Sequence, residues 1–237
     1  MAAQASLVFL FDVDNTLLDN DRVTRDLREY LTAAFGEERQ GRYWALFEEL
    51  RSQLGYADYL GALQRYRVEN LRDPHILETS NYLLSYPFEE RLFPGALDLL
   101  ARLRAHGQPV ILSDGDVVFQ PRKIARSGLW DAVESNVLIY IHKEQMLDDV
   151  AARFPARHYV MIDDKLHILG KMKAIWGERL TTVFVRQGHY AFDQRILSTA
   201  PPADLTVERI GDLDVAALVT ALDLSPGSSP RRGGVTR

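Results

Sequence analysis

An apolar run that ends in two closely spaced carboxylates constrains this chain most. Residues 7–11 read Leu-Val-Phe-Leu-Phe, and Asp12 and Asp14 follow directly. Such a run predicts a buried strand that ends in a loop, although Asp and Asn also form plain solvated turns. Ligands bind beyond the carboxyl ends of the strands in an open α/β sheet, so we expect both side chains to project into a site. The two carboxylates repel each other, and a divalent metal ion offsets that repulsion.

Length and composition limit the class of protein. The chain has 237 residues, 46% hydrophobic and 26% charged, which is typical of one globular domain or of one domain with an insertion. A net charge of −5 argues against a general nucleic-acid surface, and no apolar run is long enough to cross a membrane. The lack of cysteine excludes thiolate metal sites and a cysteine nucleophile. No signal-peptide pattern opens the chain, so we expect a cytoplasmic location.

The chain divides into two kinds of sequence. Apolar residues recur at helical spacing after the first strand, which predicts helices near 21–35, 38–54, 57–72 and 75–86. From residue 95 helix and strand alternate, which predicts a parallel sheet. The strands are expected at 109–112, 134–141, 158–162, 182–185 and 204–208. The helices are expected near 95–106, 117–126, 143–153, 165–176 and 212–222.

The predicted fold class is therefore α/β. A Rossmann-like parallel sheet with helices on both faces is expected from residues 1–18 and 92–224. An all-α domain at 19–91 is inserted into this core directly after the first carboxylates, where it covers the site as a cap. The Gly-, Pro- and Ser-rich tail at 225–237 is expected to be disordered.

Polar residues follow three further predicted strands at the point where each strand ends. These residues are Ser113, Asp114, Lys143, Asp163 and Asp164. Because the carboxyl ends of parallel strands meet at one sheet edge, we expect them to converge with the first two carboxylates. The set suits a Mg²⁺ site that also receives a phosphate. Taken singly, Ser113 is equally consistent with a helix or turn cap, whereas a plain N-cap is the less favoured interpretation for one of Asp163 and Asp164.

Lysine is scarce in this chain, so few residues compete for a lysine role. The lysines are Lys123, Lys143, Lys165, Lys171 and Lys173. Lys143 opens a predicted helix, where a cation opposes the helix dipole. A solvated lysine without a role in the site is therefore the less favoured interpretation of this position. We expect Lys123 and Lys165 to lie on exposed helix faces.

The motifs together resemble those of the haloacid dehalogenase (HAD) superfamily of hydrolases. FDVDNTLLDN is similar to the first motif, Ser113 in VILSDGD to the second, Lys143 to the third, and MIDD, ending at Asp164, to the fourth. The order and the spacing of the motifs both agree. The insert between the first two motifs resembles the helical C1-type cap of this superfamily.

This resemblance implies a role for each motif residue. Asp12 would be the nucleophile that forms an aspartyl-phosphate, and Asp14 would protonate the leaving oxygen and then activate water. Ser113, Asp114 and Lys143 would form the phosphate-binding part of the site. The Asp114 side chain itself should point away from the phosphate, because its charge would oppose binding.

The resemblance also implies a Mg²⁺ cofactor. Asp12 and Asp163 would supply carboxylate ligands, and Asp14 would bind the ion through its backbone carbonyl.

Three nearby residues have supporting or undecided roles. Thr16 would support the loop that carries the acid, and Asp164 would hold a metal-bound water or orient the motif lysine. His167 would touch the outer shell of the metal ion or, as the favoured interpretation, lie on a helix surface.

The implied activity is Mg²⁺-dependent hydrolysis of a small phosphorylated metabolite. Asp14 favours a phosphatase, because dehalogenase relatives lack an acid there, and the insert has no lysine such as phosphonate-cleaving relatives use. A phosphomutase of the same superfamily and a non-catalytic binding protein that retains the fold stay open. Arg65 and Arg67 are candidates for meeting an anionic substrate, although a solvated face is favoured. The sequence names neither the substrate nor the oligomeric state.

Overall fold

A six-stranded parallel sheet forms the centre of the molecule. The computed structural model describes residues 5–222, so the expectation for the tail at 225–237 lies outside the described residues. The strands are β1 (Ala5–Phe11), β2 (Gln108–Asp114), β3 (Val137–Tyr140), β4 (Ala156–Asp163), β5 (Leu180–Val185) and β6 (Leu205–Val207). Their order in the sheet is β3-β2-β1-β4-β5-β6, and every neighbouring pair is parallel. The prediction of a Rossmann-like α/β fold is confirmed.

Helices fill the connections between the strands. Those between β1 and β2 are α1 (Asn20–Phe35), α2 (Glu37–Leu54), α3 (Tyr59–Glu69), α4 (His75–Ser85) and α5 (Ala96–Leu103). Those that follow β2 are α6 (Phe119–Arg126), α7 (Leu129–Ala132), α8 (Leu147–Arg153), α9 (Leu166–Trp176), α10 (Gln194–Thr199) and α11 (Val215–Ala221). None of the helices in the described part of the chain has the length and apolar character needed to span a membrane.

The alternation of side chains along β1 explains why both faces of the sheet are covered. Phe9 and Phe11 belong to an apolar cluster that includes residues of α1, α5 and α11. Val8 and Leu10 belong to a second cluster with residues of α8 and α9. Successive side chains of a strand point to opposite faces, so a strand that is apolar throughout must be buried on both. The continuous run that opens the chain is therefore the central strand.

Several details differ from the sequence expectation, which included neither α7 nor α10. The predicted strand 134–141 is shortened to β3, because Glu134 and Ser135 have φ angles of 54° and 65°, which do not occur in extended backbone. Lys143 does not open an α-helix but lies in a 3₁₀ turn, Lys143–Gln145, that precedes α8.

The chain leaves and re-enters the sheet region through two paired segments. The predicted connections of the helical insert lie side by side, because Leu18 and Leu92 form an antiparallel bridge. Asp19 N donates to Arg91 O at 2.8 Å, and Phe93 N donates to Leu17 O at 2.9 Å. The chain thus passes from the core to helices α1–α4 and back at one place, next to the loop that follows β1.

Candidate active site

The loop after β1 holds the first two carboxylates at the carboxyl edge of the sheet. Asp12 is buried, whereas Asp14 is partly exposed to a cavity. Asn15 adopts a φ of 63°, a left-handed conformation that asparagine tolerates better than most residues. Its side chain accepts from Asp21 N and donates to Asp21 Oδ1, each at 3.1 Å, which fixes the loop against the start of α1.

Lys143 joins two strands of the sheet through their terminal carboxylates. Its Nζ lies 2.5 Å from Asp12 Oδ1 and 2.7 Å from Asp163 Oδ2, and it also donates to Leu112 O at 3.3 Å. Burial alone would lower the pKa of Lys143, but the neighbouring carboxylates outweigh burial and raise it above its usual value. Lys143 is therefore a buried, charged group at the centre of the site.

Thr16 and Asp164 lie around the same carboxylates. Thr16 Oγ1 donates to Asp12 Oδ2 at 3.4 Å and accepts from Asp164 N at 3.0 Å. Thr16 thus contacts the aspartate at position 12 rather than the side chain of the second acid. Burial raises the pKa of Asp12, and the Lys143 ammonium opposes that shift.

Three buried aspartates offer a fitting site for a divalent cation. Asp12, Asp163 and Asp164 each present a carboxylate oxygen, and these oxygens lie within 4.8 Å of one another. Both oxygens of Asp164 are buried without a hydrogen-bond partner, and burial raises the pKa of Asp164 well above its usual range. An unpaired buried carboxylate is costly, so these oxygens match a hard cation such as Mg²⁺.

With all of its carboxyl groups ionised, this cluster carries more negative than positive charge. Four carboxylates and two ammonium groups interact there: those of Asp12, Asp114, Asp163, Asp164, Lys143 and Lys165. Two negative charges remain, which a divalent ion would neutralise.

Ser113 and Asp114 end strand β2 beside the cluster. Ser113 is buried, and its Oγ accepts from Gln120 Nε2 at 3.0 Å. Asp114 Oδ1 accepts from Lys143 N at 2.7 Å, so its carboxylate is directed at the backbone of the 3₁₀ turn. Burial raises the pKa of Asp114 to about 6, and the Lys143 ammonium opposes the shift.

The expectation that Lys123 lies on an exposed helix face is wrong. Lys123 is 1% exposed, and its Nζ lies 2.7 Å from Asp14 Oδ1 and 3.0 Å from Asn20 Oδ1. Gln120 Nε2 approaches the other oxygen of Asp14 at 3.3 Å. Lys123 and Gln120 lie one turn apart on α6, so this helix contacts the partly exposed Asp14 carboxylate from the core side.

The same expectation is wrong for Lys165, which caps α9 within the site. Lys165 is partly buried, and its N donates to Asp163 Oδ1 at 2.8 Å. Burial opposes its charge, but Asp12, Asp164 and Asp163 outweigh burial and raise the pKa of Lys165. His167, two residues further along, is half-buried and lines the cavity, and burial lowers its pKa.

A cavity of about 800 Å³ separates the helical insert from the carboxyl edge of the sheet. Asp14, Asp114 and Lys165 line it on the sheet side. Arg25 and Arg28 of α1 line it on the insert side, and neither has an ion-pair partner among residues 5–222. Arg65 and Arg67, the candidates for an anionic substrate for which a solvated face was favoured, do not line this cavity.

The sequence predicted the carboxylates and the central lysine but missed two kinds of residue. Gln120, Lys123 and Lys165 contact the carboxylates, and Arg25 and Arg28 line the cavity on the insert side. A signal for Lys123 exists in the sequence, because Phe119, Lys123 and Ile124 share one buried face of α6. A lysine on the apolar face of a helix needs a buried partner.

Comparison with known proteins identifies relatives of this chain. A sequence model described as haloacid dehalogenase-like hydrolase matches residues 7–168. A haloacid dehalogenase-like hydrolase from Burkholderia xenovorans, of known crystal structure, is 64% identical; the match covers 91% of this chain and 95% of that one, with a TM-score of 0.84. Comparison with curated protein sequences gave no match.

Two more distant structures share the fold. The hydrolase YfnB from Bacillus subtilis, crystallised with magnesium, is 17% identical over 93% of this chain and 99% of its own, with a TM-score of 0.58. L-2-haloacid dehalogenase from Xanthobacter autotrophicus, with chloropropionic acid covalently bound, is 18% identical over 86% of this chain and 95% of its own, with a TM-score of 0.55.

The fold and the matched sequence model define the class of protein as a hydrolase built on a Rossmann-like α/β core. More narrowly, the chain belongs to the haloacid dehalogenase-like hydrolase family, as its motifs predicted.

Proposed function

We propose that this hydrolase is a Mg²⁺-dependent phosphatase that acts on a small phosphorylated metabolite through an aspartyl-phosphate on Asp12. One observation carries the proposal. The carboxylate of Asp14 faces the cavity, held by Lys123 and Gln120, beside the buried cluster that contains Asp12. Hydrolysis of a phosphate ester needs a nucleophile and a separate proton donor, and these two carboxylates supply them.

The first half of the proposed reaction transfers the phosphoryl group to the protein. An oxygen of Asp12 forms a bond to phosphorus while the bond from phosphorus to the leaving oxygen breaks. Asp14 donates its proton to that oxygen, so the alcohol departs neutral. Lys143 and Ser113 hold the other phosphoryl oxygens as their charge redistributes in the transition state.

The second half regenerates Asp12. Asp14, now a carboxylate, takes a proton from a water molecule that attacks phosphorus. The bond from phosphorus to Asp12 breaks, and inorganic phosphate leaves.

We infer that the buried aspartates hold the Mg²⁺ ion. Asp12, Asp163 and Asp164 would hold it, together with the backbone carbonyl of Asp14. When bound, the ion offsets the repulsion between the carboxylates and the phosphate dianion. Lys143 keeps the nucleophile and Asp163 in fixed relative positions through its two ion pairs.

We also infer that residues 19–91 act as a cap that selects the substrate. The helices of this segment form the wall of the cavity opposite the carboxylates, and Arg25 and Arg28 lie on that wall. Two guanidinium groups without an ion-pair partner among residues 5–222 favour a substrate with a second anionic group, remote from the phosphate to be hydrolysed.

Dehalogenation is the second candidate function, because one structural neighbour carries a haloacid covalently bound. A halide ion leaves without a proton, so that reaction has no use for an acid at the position of Asp14. The buried pair that Lys123 makes with this acid therefore favours phosphate esters. A phosphomutase uses the same groups and would return an isomerised sugar phosphate.

Product analysis separates these candidates. A panel of phosphorylated metabolites and 2-chloropropionate is incubated with the protein, with Mg²⁺ or with EDTA, and phosphate, chloride and isomerised sugar phosphate are measured. We expect Mg²⁺-dependent phosphate release, and a loss on the order of 10³-fold or more in Asp12→Asn. Chloride release, isomerisation without hydrolysis, or full activity of Asp12→Asn would contradict the proposal. A protein that neither turns over any substrate nor traps beryllium fluoride with Mg²⁺ would be a binding protein.

A further inference from the structure

The carboxylate of Asp14 has a dedicated support on helix α6. Lys123 Nζ donates to Asp14 Oδ1 at 2.7 Å, and Gln120 Nε2 lies 3.3 Å from Asp14 Oδ2. The side chain of Lys123 is 1% exposed, whereas that of Asp14 is 24% exposed. The carboxylate is therefore held from the protein side and remains open to the cavity.

Lys123 has few other ways to satisfy its charge. Burying an ammonium group is costly unless it is paired, and Asp14 is its only ion-pair partner among the described residues. Its second contact is Asn20 Oδ1 at 3.0 Å, and the ring of Phe119 lies 5.5 Å from Nζ. Asn20 is the first residue of α1, directly after the segment that leads into the helical insert. Lys123 thus connects the core, the acid and the start of the insert.

We propose that Lys123 is a positioning residue that fixes the Asp14 carboxylate where it exchanges a proton with the leaving oxygen. This inference rests on the proposed function, in which Asp14 is the acid. Oδ1 accepts from the Lys123 ammonium at 2.7 Å, whereas Oδ2 accepts only the longer contact of 3.3 Å from the Gln120 amide, so the proton that Asp14 transfers is carried on Oδ2. That proton passes to the leaving oxygen as the phosphorus–oxygen bond breaks, and the bond electrons remain on that oxygen. Lys123 gains and loses no proton.

A purely structural role for Lys123 makes a different prediction. If the lysine only anchors α6 to the loop after β1, its loss should slow all substrates equally. If it positions the acid, its loss should slow most those substrates whose leaving group needs a proton. Phenolate leaving groups of graded basicity separate the two roles, because 4-nitrophenolate leaves readily without protonation and 4-methoxyphenolate does not.

The experiment compares kcat/KM for 4-nitrophenyl, phenyl and 4-methoxyphenyl phosphate, with Mg²⁺. We expect Lys123→Met to lower kcat/KM by less than about 10-fold for 4-nitrophenyl phosphate and by about 10²-fold for 4-methoxyphenyl phosphate. Asp14→Asn should show the same graded loss. In the double variant, kcat/KM should be less than about threefold below that of Asp14→Asn alone, because the two residues act as one unit.

Two further variants make the result decisive. Lys123→Arg retains a cation and should restore much of the activity on 4-methoxyphenyl phosphate. Lys173→Met is the matched control, because Lys173 pairs with Asp204 and Leu180 O, away from the site, and its loss should leave the leaving-group dependence unchanged. If Lys123→Met fails to fold, Lys123→Gln replaces it, with the same graded loss expected.

Each outcome separates the inference from the proposed function. Equal losses of kcat/KM on all three esters, or independent losses in the double variant, would overturn the role of Lys123. Turnover of the same esters by the wild type would still support the proposed phosphatase. A wild-type protein that hydrolyses none of the esters and none of the metabolite panel would overturn both.

Discussion

Lys143 Nζ lies 2.5 Å from Asp12 Oδ1 although 131 positions separate the two residues in the sequence. Both side chains are buried, and the same nitrogen lies 2.7 Å from Asp163 Oδ2. The end of β1, the end of β4 and the turn after β3 thus meet at one ammonium group. One ammonium group thus forms ion pairs with both the candidate nucleophile and a candidate ligand of the cation.

Removal of the central lysine should affect both activity and stability. We expect Lys143→Met to lower kcat by about 10²- to 10³-fold, because a donor to the transferring phosphoryl group is lost. It should also lower the free energy of unfolding in EDTA by about 3–5 kcal/mol, because two buried carboxylates lose their cation. Urea unfolding measures the second effect. Arg153→Met, which breaks an exposed pair with Asp149, should cost less than about 1 kcal/mol; equal costs for the two variants would contradict the account.

Mg²⁺ should stabilise the folded protein through the three buried aspartates. At a concentration of about 100 Kd the ion should raise the free energy of unfolding by about 2.7 kcal/mol, measured as a higher melting temperature. Asp163→Asn should lose most of this gain, because one carboxylate ligand is removed. Asp98→Asn, at an exposed aspartate of α5, is the control and should keep the full gain. An equal Mg²⁺ response in both variants would place the ion elsewhere.

The carboxyl group of Asp114 should give the stability a measurable pH dependence. Burial raises its pKa to about 6, so the folded protein binds this proton more tightly than the unfolded chain does. The stabilisation that comes from the protonated Asp114 carboxyl group is complete below about pH 4 and is lost as the pH rises through about 6. In EDTA, the free energy of unfolding of the wild type relative to Asp114→Asn should fall by at most about 3 kcal/mol across that range. A difference that rises with pH would show that the carboxylate, not the acid, is the favoured form.

The arginines of α1 should act on substrate binding rather than on the chemical step. We expect Arg25→Ala and Arg28→Ala each to raise KM by about 10-fold for a phosphate ester that carries a second carboxylate or phosphate, because a charge-assisted contact is lost. The KM for phenyl phosphate, which lacks a second anion, should change less than about twofold. Arg67→Ala is the matched control, because Arg67 is exposed and lies outside the cavity. An equal rise of KM for both esters would contradict this role.

Most of the site follows from one rule applied to the sequence. Asp12, Ser113, Lys143 and Asp163 each follow an apolar run that is typical of a buried strand, and the carboxyl ends of parallel strands converge. The sequence therefore indicates that these side chains meet, even though no short-range contact connects them. Their catalytic roles remain predictions that come from the resemblance and from chemistry.

What the sequence did not predict depends on contacts between distant segments. Lysine is usually solvated, and only the position of Asp14 beside α6 makes burial of Lys123 favourable. Lys165 likewise opens a predicted helix, where a lysine usually faces solvent, and only the buried carboxylates beside it favour its position in the site. Which face of α1 meets the cavity depends on how the insert packs on the core, so Arg25 and Arg28 were not identifiable before the fold was known.

Borohydride trapping tests most directly whether Asp12 carries the phosphoryl group. The protein is quenched in acid during turnover of 4-nitrophenyl phosphate with Mg²⁺ and treated with borohydride, which reduces an acyl phosphate to an alcohol. Peptide mass spectrometry should then find homoserine in place of Asp12, and unmodified Asp12 when substrate is omitted. Unmodified Asp12 at steady state in an active preparation, or reduction at Asp14 or Asp163 instead, would contradict the account.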